Sequence, residues 1–358
     1  MIRILRTRPQ PLTGKACKDP AFPEHQVPFG KSPFRVAPHL KSGSISSKSA
    51  IIDCIGIDTS AIFKGGVIMR LATYVYNDKE QLGVVSENGD SMVSLDGLCP
   101  NSSMAELIRN FSPEMAEKIE AIRAEGETIP LIKIVLDSPL PNPPRGIICL
   151  GKNYRDHIKE VAKAIDGESE VPEFPIYFSK LVDRSVGTGG IIPSHEGLTD
   201  CLDYEVELAV IIGKAGRDIP RDQVEEHIFG YTIINDISVR DVQRKHLQWF
   251  RGKSFDGSSP MGPFIVTKEE LKFPLELDIK AFVNGEMRQD SNTRELIYDI
   301  PRIISEFSMG ITLKPGDVIA TGTPAGVGMG FTPPRYLKSG DQVDCYIEGI
   351  GYLRNTVG

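Results

Sequence analysis

The stretch "LDYEVELAVIIGK", Leu202 to Lys214, constrains the fold more than any other. Its apolar run, Val206 and then Leu208 to Ile212, has the signature of a strand buried on both faces, which requires material packed above and below a sheet. Yet the same strand reading puts Asp203, Glu205 and Glu207 on one face, because side chains alternate with period two. Two ionised glutamates about 7 Å apart along a strand repel by roughly 2 kcal/mol at an effective dielectric of 20, and burial adds a desolvation cost. Either the strand end is exposed and its acids are solvated, or a cation offsets them.

With 358 residues and 40% apolar content, the chain can bury a sizeable core and is expected to form two unequal domains. No apolar run approaches the length of a membrane span, so no membrane association is expected. The six cysteines (17, 54, 99, 149, 201 and 345) include no C-x-x-C pair, which argues against a zinc ribbon, a dithiol centre or a disulfide framework. A reducing, cytoplasmic setting fits. Residues 1 to 68 carry 10 Lys and Arg against 4 Asp and Glu, net +6, which leaves 31 against 44, net −13, for the remainder. A body that acidic is a poor nucleic-acid binder, and an anionic substrate would need local positive charge in its pocket.

Up to Ser49 the chain is rich in Pro, Ser and basic residues without sustained periodicity, so residues 1–68 are expected to be disordered or an extension outside the fold. A transit peptide fits the scarcity of acids, but seven prolines in the first fifty residues and the lack of an amphipathic pattern oppose it. "KGGVIM", Lys64 to Met69, is what a ribosome-binding sequence a few nucleotides ahead of a start codon would encode. Met69 is therefore expected to be the initiator.

From Met69 the pattern reads as short strands with polar turns, followed by a helix from about Ser103 to Glu125, a small α+β domain over 69–138. "LDSPLPNPPRG", with four prolines in residues 139 to 144, reads as an extended linker. The larger domain, 145–358, has many strands separated by Gly, Pro and Asn-Gly turns, with Asn284-Gly285 a strong hairpin signal. The expected class is α+β, mostly β, and not a doubly wound α/β sheet.

"GKNYRDHIKEVAKAI" offers Asn153 as an N-cap with Asp156 three positions on, and Tyr154, Ile158, Val161, Ala162 and Ile165 as one apolar stripe. His157 and Glu160 lie together on its flank. They are either a surface salt bridge or a general-base pair in which Glu160 orients the imidazole. In "GYTIINDISVRDVQ", Asp236 follows an apolar strand, in a turn position where Asp is common for its own sake. "RGKSFDG" presents Lys253, but a phosphate loop would need glycine where Leu247 stands. "KPGDVIATGTPAGVGMG" is a turn, a strand and a glycine-rich loop with Thr321 and Thr323, able to present N–H groups and hydroxyls to an anion.

Taken in order, "GKNYRDHIKE", "FSK", "LDYEVELAVIIGK", "NDISVRDVQ", "GKSFD", "MGPFIVT", "VNG", "LKPGDVIATGTPAGVG" and "LKSGDQVD" resemble the fumarylacetoacetate hydrolase superfamily, densely over 145 to 358 and loosely over 69 to 144. Val239 stands where that motif more often has alanine. The resemblance implies a mixed β-sandwich or roll and a homodimer through the catalytic domain. It implies Mg2+ or Mn2+ held by Glu205, Glu207 and Asp236, which would give the crowded acids their cation. Asp203 matches an acidic position of the motif but not a ligand. His157, Glu160 and Lys253 are implied as catalytic, and Arg240, Gln243 and Thr323 as contacts to a small anionic keto acid. The implied reaction is metal-dependent carbon–carbon cleavage of a β-keto or 2,4-diketo acid to pyruvate, with oxaloacetate decarboxylation favoured. Acylpyruvate or fumarylpyruvate hydrolysis and 2-hydroxyhepta-2,4-diene-1,7-dioate isomerisation are the alternatives. A non-catalytic metal-binding regulator on the same fold would be expected to lack a ligand or the His-Glu pair, and none is missing.

Overall fold

The computed structural model describes residues 69–100, 102–165 and 169–358. The expectations for residues 1–68 lie outside the described residues. The first part contains β1 (Arg70–Tyr76), β2 (Lys79–Val85), β3 (Ser91–Ser94), helices α1 (Met104–Arg109) and α2 (Pro113–Glu125), β4 (Thr128–Pro130) and β5 (Val135–Leu136). After the proline-rich link come β6 (Ile147–Gly151), α3 (Arg155–Ile165), β7 (Ile176–Lys180), β8 (Ile191–Ile192), β9 (Leu202–Asp203), β10 (Val206–Ile212), α4 (Val224–His227) and β11 (Ile228–Asn235). The remainder holds β12 (Ser238–Val239), α5 (Arg240–Lys245), α6 (Phe250–Lys253), β13 (Met261–Thr267), β14 (Asp278–Val283), β15 (Glu286–Asn292), α7 (Ile300–Ser308), β16 (Val318–Ala320), β17 (Gln342–Ile347) and β18 (Gly351–Val357).

These strands make the mostly-β α+β fold. One sheet runs β4-β3-β2-β1-β13-β11-β10-β16-β6-β7, with β5 also paired to β1, and a second runs β15-β14-β17-β18-β8. The strands of residues 69–138 extend the large sheet, because β1 pairs antiparallel with β13 through Arg70–Val266 and Leu71–Ile265. The apolar run of β10 is explained by what covers it. Val206, Leu208, Val210 and Ile212 pack with Ile279, Ala281, Val343 and Ile347 of the second sheet, while Ala209 and Ile211 share a core with Leu107 and Ile119 of α1 and α2. Asn284 and Gly285 both take positive φ, 53° and 78°, in the two-residue hairpin between β14 and β15.

Three local expectations are corrected. The single helix over Ser103–Glu125 is two, because Ser112 caps a new helix through the Met115 N–H and Pro113 occupies its first turn. The strand through Leu202–Lys214 is broken at Tyr204–Glu205: β9 pairs with β12, β10 pairs with β11, and Glu205 lies in the gap. Asn153 does not cap α3. Its amide instead donates to Thr321 O and Tyr298 O and accepts from the Tyr298 N–H, tying the turn after β6 to two distant loops.

Candidate active site

Strand directions bring the chemistry to one edge of the large sheet. β16 runs parallel to β6 and antiparallel to β10, and β10 runs antiparallel to β11. The ends of β6, β11 and β16 therefore meet the start of β10. At that edge the oxygens of Glu205, Glu207 and Asp236, all buried, lie within 4.8 Å of one another. The backbone fixes two of them together: Asp236 N–H donates to Glu205 O at 2.8 Å, and Glu205 N–H to the Asn235 side chain at 3.0 Å.

Three buried cations serve these acids. Lys253 Nζ donates to Glu205 Oε2 at 2.5 Å and Asp236 Oδ2 at 2.6 Å. Lys180 Nζ donates to Asp236 Oδ1 at 2.6 Å and Ile237 O at 3.0 Å. Arg240 donates from Nε to Asp203 Oδ2 at 2.8 Å and from a terminal nitrogen to Glu205 Oε1 at 2.5 Å. Burial opposes ionisation of Glu205, but the charges of Arg240 and then Lys253 outweigh it and hold the carboxyl well below the usual range.

Glu207 is different. It forms no ion pair among the described residues, and its one hydrogen bond accepts the Gly322 N–H at 2.9 Å. Burial, then the neighbouring Asp236 and Glu205, push its carboxyl well above the ordinary value. With Glu207 ionised, Asp203, Glu205, Glu207 and Asp236 against Lys180, Arg240 and Lys253 would give four negative charges to three positive, net −1. A divalent cation would supply what Glu207 lacks, and an all-oxygen donor set suits Mg2+ or Mn2+.

A cavity opens over this cluster, lined by His157, Glu205, Glu207, Gln243, Lys253 and Thr323 together with Lys152 and Trp249. Gly151 is required here, since a Cβ would meet the Trp249 ring at 2.2 Å. His157 is buried, with Nδ1 3.4 Å from Glu160 Oε2. Glu160 also accepts the Gly326 N–H at 3.0 and 3.1 Å, so the helix is pinned to the glycine-rich loop. Gly326 has φ 107° and would place a Cβ 1.8 Å from Arg288 O, so only glycine serves at this point.

Two expected substrate contacts already have protein partners. Arg240 does not line the cavity and is consumed beneath it. Thr323 lines it, but its hydroxyl donates to Val206 O at 2.9 Å and accepts from Gln289 at 2.8 Å. Gln243 lines the cavity, and its Oε1 accepts from Arg240 at 3.1 Å, while its N–H2 has no partner among the described residues. Sequence reasoning missed Lys180, although "FSK" at a strand end was its signal, and it gave Asp203 no task. Asp203 accepts from the Gly328 and Met329 N–H groups at 2.6 and 3.0 Å while holding Arg240.

The family model "Fumarylacetoacetate (FAA) hydrolase C-terminal" matches residues 146–358, more than half of the chain. The chain belongs to the fumarylacetoacetate hydrolase family. Relatives of this enzyme family include oxaloacetate tautomerase YisK of Bacillus subtilis, 48% identical over 228 residues, 64% of this chain and 74% of that protein. Among solved structures, a fumarylacetoacetate hydrolase of Exiguobacterium antarcticum is 41% identical, with TM-score 0.70, over 81% of this chain and 99% of that one. Maleylpyruvate hydrolase of Sphingobium sp. SYK-6, solved with manganese(II) and pyruvate, is 32% identical, with TM-score 0.65, over 81% and 98%. No helix among the described residues is long and apolar enough to cross a membrane.

Proposed function

We propose that the chain is a divalent-metal-dependent enzyme of small 2-oxo acids that works by enolisation beside the keto group, with oxaloacetate as substrate and keto–enol interconversion as the reaction. The observation that carries this is the gathering of His157, Gln243 and Lys253 around one cavity whose floor is the Glu205 and Glu207 carboxylates. The identity to an oxaloacetate tautomerase supports the substrate. Glu205, Glu207 and Asp236 would hold Mg2+ or Mn2+, and the ion's chemistry is that of a Lewis acid that stabilises negative charge on an enolate oxygen.

The chain's own groups divide the rest. Lys253 and Lys180 hold Asp236, and Arg240 with Lys253 holds Glu205, so the ligands keep their places and stay ionised. Gln243 donates from its amide to a substrate oxygen. With the Nδ1 proton turned to Glu160, His157 has a basic Nε2 to take a proton from the carbon beside the keto group and return it to oxygen. Val161, one turn on from His157 along α3, adds an apolar side chain to the cavity wall.

Decarboxylation of oxaloacetate, the reaction favoured by the motifs, would instead break the C3–C4 bond of the keto form, releasing CO2 and leaving pyruvate enolate for His157 to protonate at carbon, and requires no water. Hydrolysis of an acylpyruvate is the second reading, favoured by the manganese and pyruvate complex of the maleylpyruvate hydrolase. There His157 would activate water instead. A homodimer in the cytoplasm completes the proposal. The test is purified protein with Mn2+, followed by loss of the oxaloacetate enol absorbance, by pyruvate formed from oxaloacetate, and by cleavage of acetylpyruvate and fumarylpyruvate. Faster enol loss than pyruvate release supports tautomerisation. No rate above that of the Glu205→Gln variant in any of the assays would overturn the reading.

A further inference from the structure

Two lysines line the cavity, and only one of them is committed. Lys253 is buried and held by Glu205 and Asp236. Lys152 is half-buried at the cavity wall, and its side chain makes no hydrogen bond or ion pair with a described residue. Its backbone is in the left-handed region, φ 56°, which glycine adopts freely and lysine rarely. Both neighbours enforce that conformation: Gly151 is packed under Trp249, and the Asn153 amide is bonded to Tyr298 and Thr321. A strained residue next to a site is held there by its surroundings, and here the strained position carries a long, unpaired cation.

The charges say what that cation would meet. With its four carboxylates ionised the buried cluster is net −1, and a divalent ion would make it +1. The one carboxylate that a 2-oxo acid places against the ion cancels that charge. A second carboxylate on the substrate then finds no partner at the cluster, where Lys180, Lys253 and Arg240 are already bound. We propose that Lys152 is a specificity residue whose ammonium receives the distal carboxylate of a dicarboxylic 2-oxo or 2-hydroxy acid, so that diacids are selected over monoacids. This rests on the metal-dependent 2-oxo acid reading above and names the substrate class within it. The flexible four-carbon stem lets the ammonium follow diacids of slightly different length.

The test reads binding, so it does not depend on which reaction the enzyme performs. Manganese-loaded protein is titrated calorimetrically with L-malate and L-lactate, which share a 2-hydroxy acid head and differ by the distal carboxylate. The wild type is expected to prefer malate. Lys152→Gln should weaken malate about tenfold to a hundredfold, the range for one charge-assisted hydrogen bond, with lactate changed less than twofold. Lys152→Arg should keep the preference. Lys152→Gly removes the amine and the backbone strain together, so it should raise the melting temperature while losing the preference, which separates recognition from folding. A wild type without preference, or a Lys152→Gln variant with the wild-type malate-to-lactate ratio, overturns the proposal. A Lys152-dependent preference in a protein that leaves oxaloacetate unchanged would support the subsite and refute the reaction.

Discussion

Replacing Asp203 by Asn keeps the shape of a fully buried side chain and removes its charge. The consequence can be worked from its partners. Oδ1 accepts the Tyr204 N–H at 3.0 Å and the Gly328 N–H at 2.6 Å, while Oδ2 accepts the Met329 N–H at 3.0 Å and Arg240 Nε at 2.8 Å. Whichever way the carboxamide is turned, its N–H2 faces two donors, so two hydrogen bonds are lost and two donors are buried unsatisfied. Hydrogen bonds to a charged group contribute about 1.5–3 kcal/mol each, and breaking a buried ion pair costs about 3–5 kcal/mol. The two figures overlap because Arg240 belongs to both. The expected loss is about 3–5 kcal/mol, or a melting temperature lower by roughly 6–15 °C. Urea unfolding of the metal-free protein measures it, and amide exchange at Gly328 and Met329 should accelerate in parallel. A loss under about 1 kcal/mol with unchanged exchange would refute the view that Asp203 clamps the glycine-rich loop to the acid cluster.

Three further outcomes are expected. Glu205→Gln and Asp236→Asn each remove a charged oxygen from the candidate metal site, and calorimetry should show Mn2+ affinity reduced at least about tenfold; unchanged affinity in both would rule these residues out as ligands. Because burial and then Asp236 and Glu205 raise the Glu207 carboxyl above its ordinary 4.5, the metal-free folded state holds a proton that the unfolded chain has released. Its stability should therefore fall as pH rises from that value towards the raised one, while Mn2+ binding should expel the proton and tighten with pH; melting curves across pH with and without Mn2+ check both signs. His157→Ala should slow proton transfer about 10²-fold to 10⁴-fold, and Glu160→Gln should slow it less, since its carboxamide oxygen can still accept the Gly326 N–H. Near-wild-type rates in both variants would make the pair a structural salt bridge.

The parts of this molecule legible in sequence are those set by local pattern. The run Val206–Ile212 announces a strand covered on both faces, and Asn284-Gly285 a two-residue hairpin, because side-chain alternation and left-handed backbone preference act within a few residues. The breaks were harder to see. Ser112-Pro113 splits a helix that periodicity alone continues, and the gap at Tyr204–Glu205 exists because β9 and β10 take different partners. Asn153 looked like a helix cap, but its amide is satisfied by Tyr298 and Thr321, well over a hundred residues away in the chain. Pairing of β1 with β13 and the grip of Lys180 on Asp236 are likewise long-range, and no window along the chain contains both partners. The candidate metal triad could be named in advance only because a whole series of motifs occurred together. The tasks of Arg240 and Thr323 could not, since burial and prior hydrogen bonds decide them.

The glycine-rich loop is fastened through its main chain. Gly322, Gly326, Gly328 and Met329 all offer backbone N–H groups, and the carboxylates of Glu207, Glu160 and Asp203 accept them. Mutation of a neighbouring side chain such as Ala325 deletes none of these bonds. The loop is thus a fixed chassis with an interchangeable lining: the wall facing a substrate can drift while the acids that would hold a metal keep their bearings. Such a separation lets one scaffold diversify into hydrolases, isomerases and tautomerases without rebuilding its inorganic centre each time.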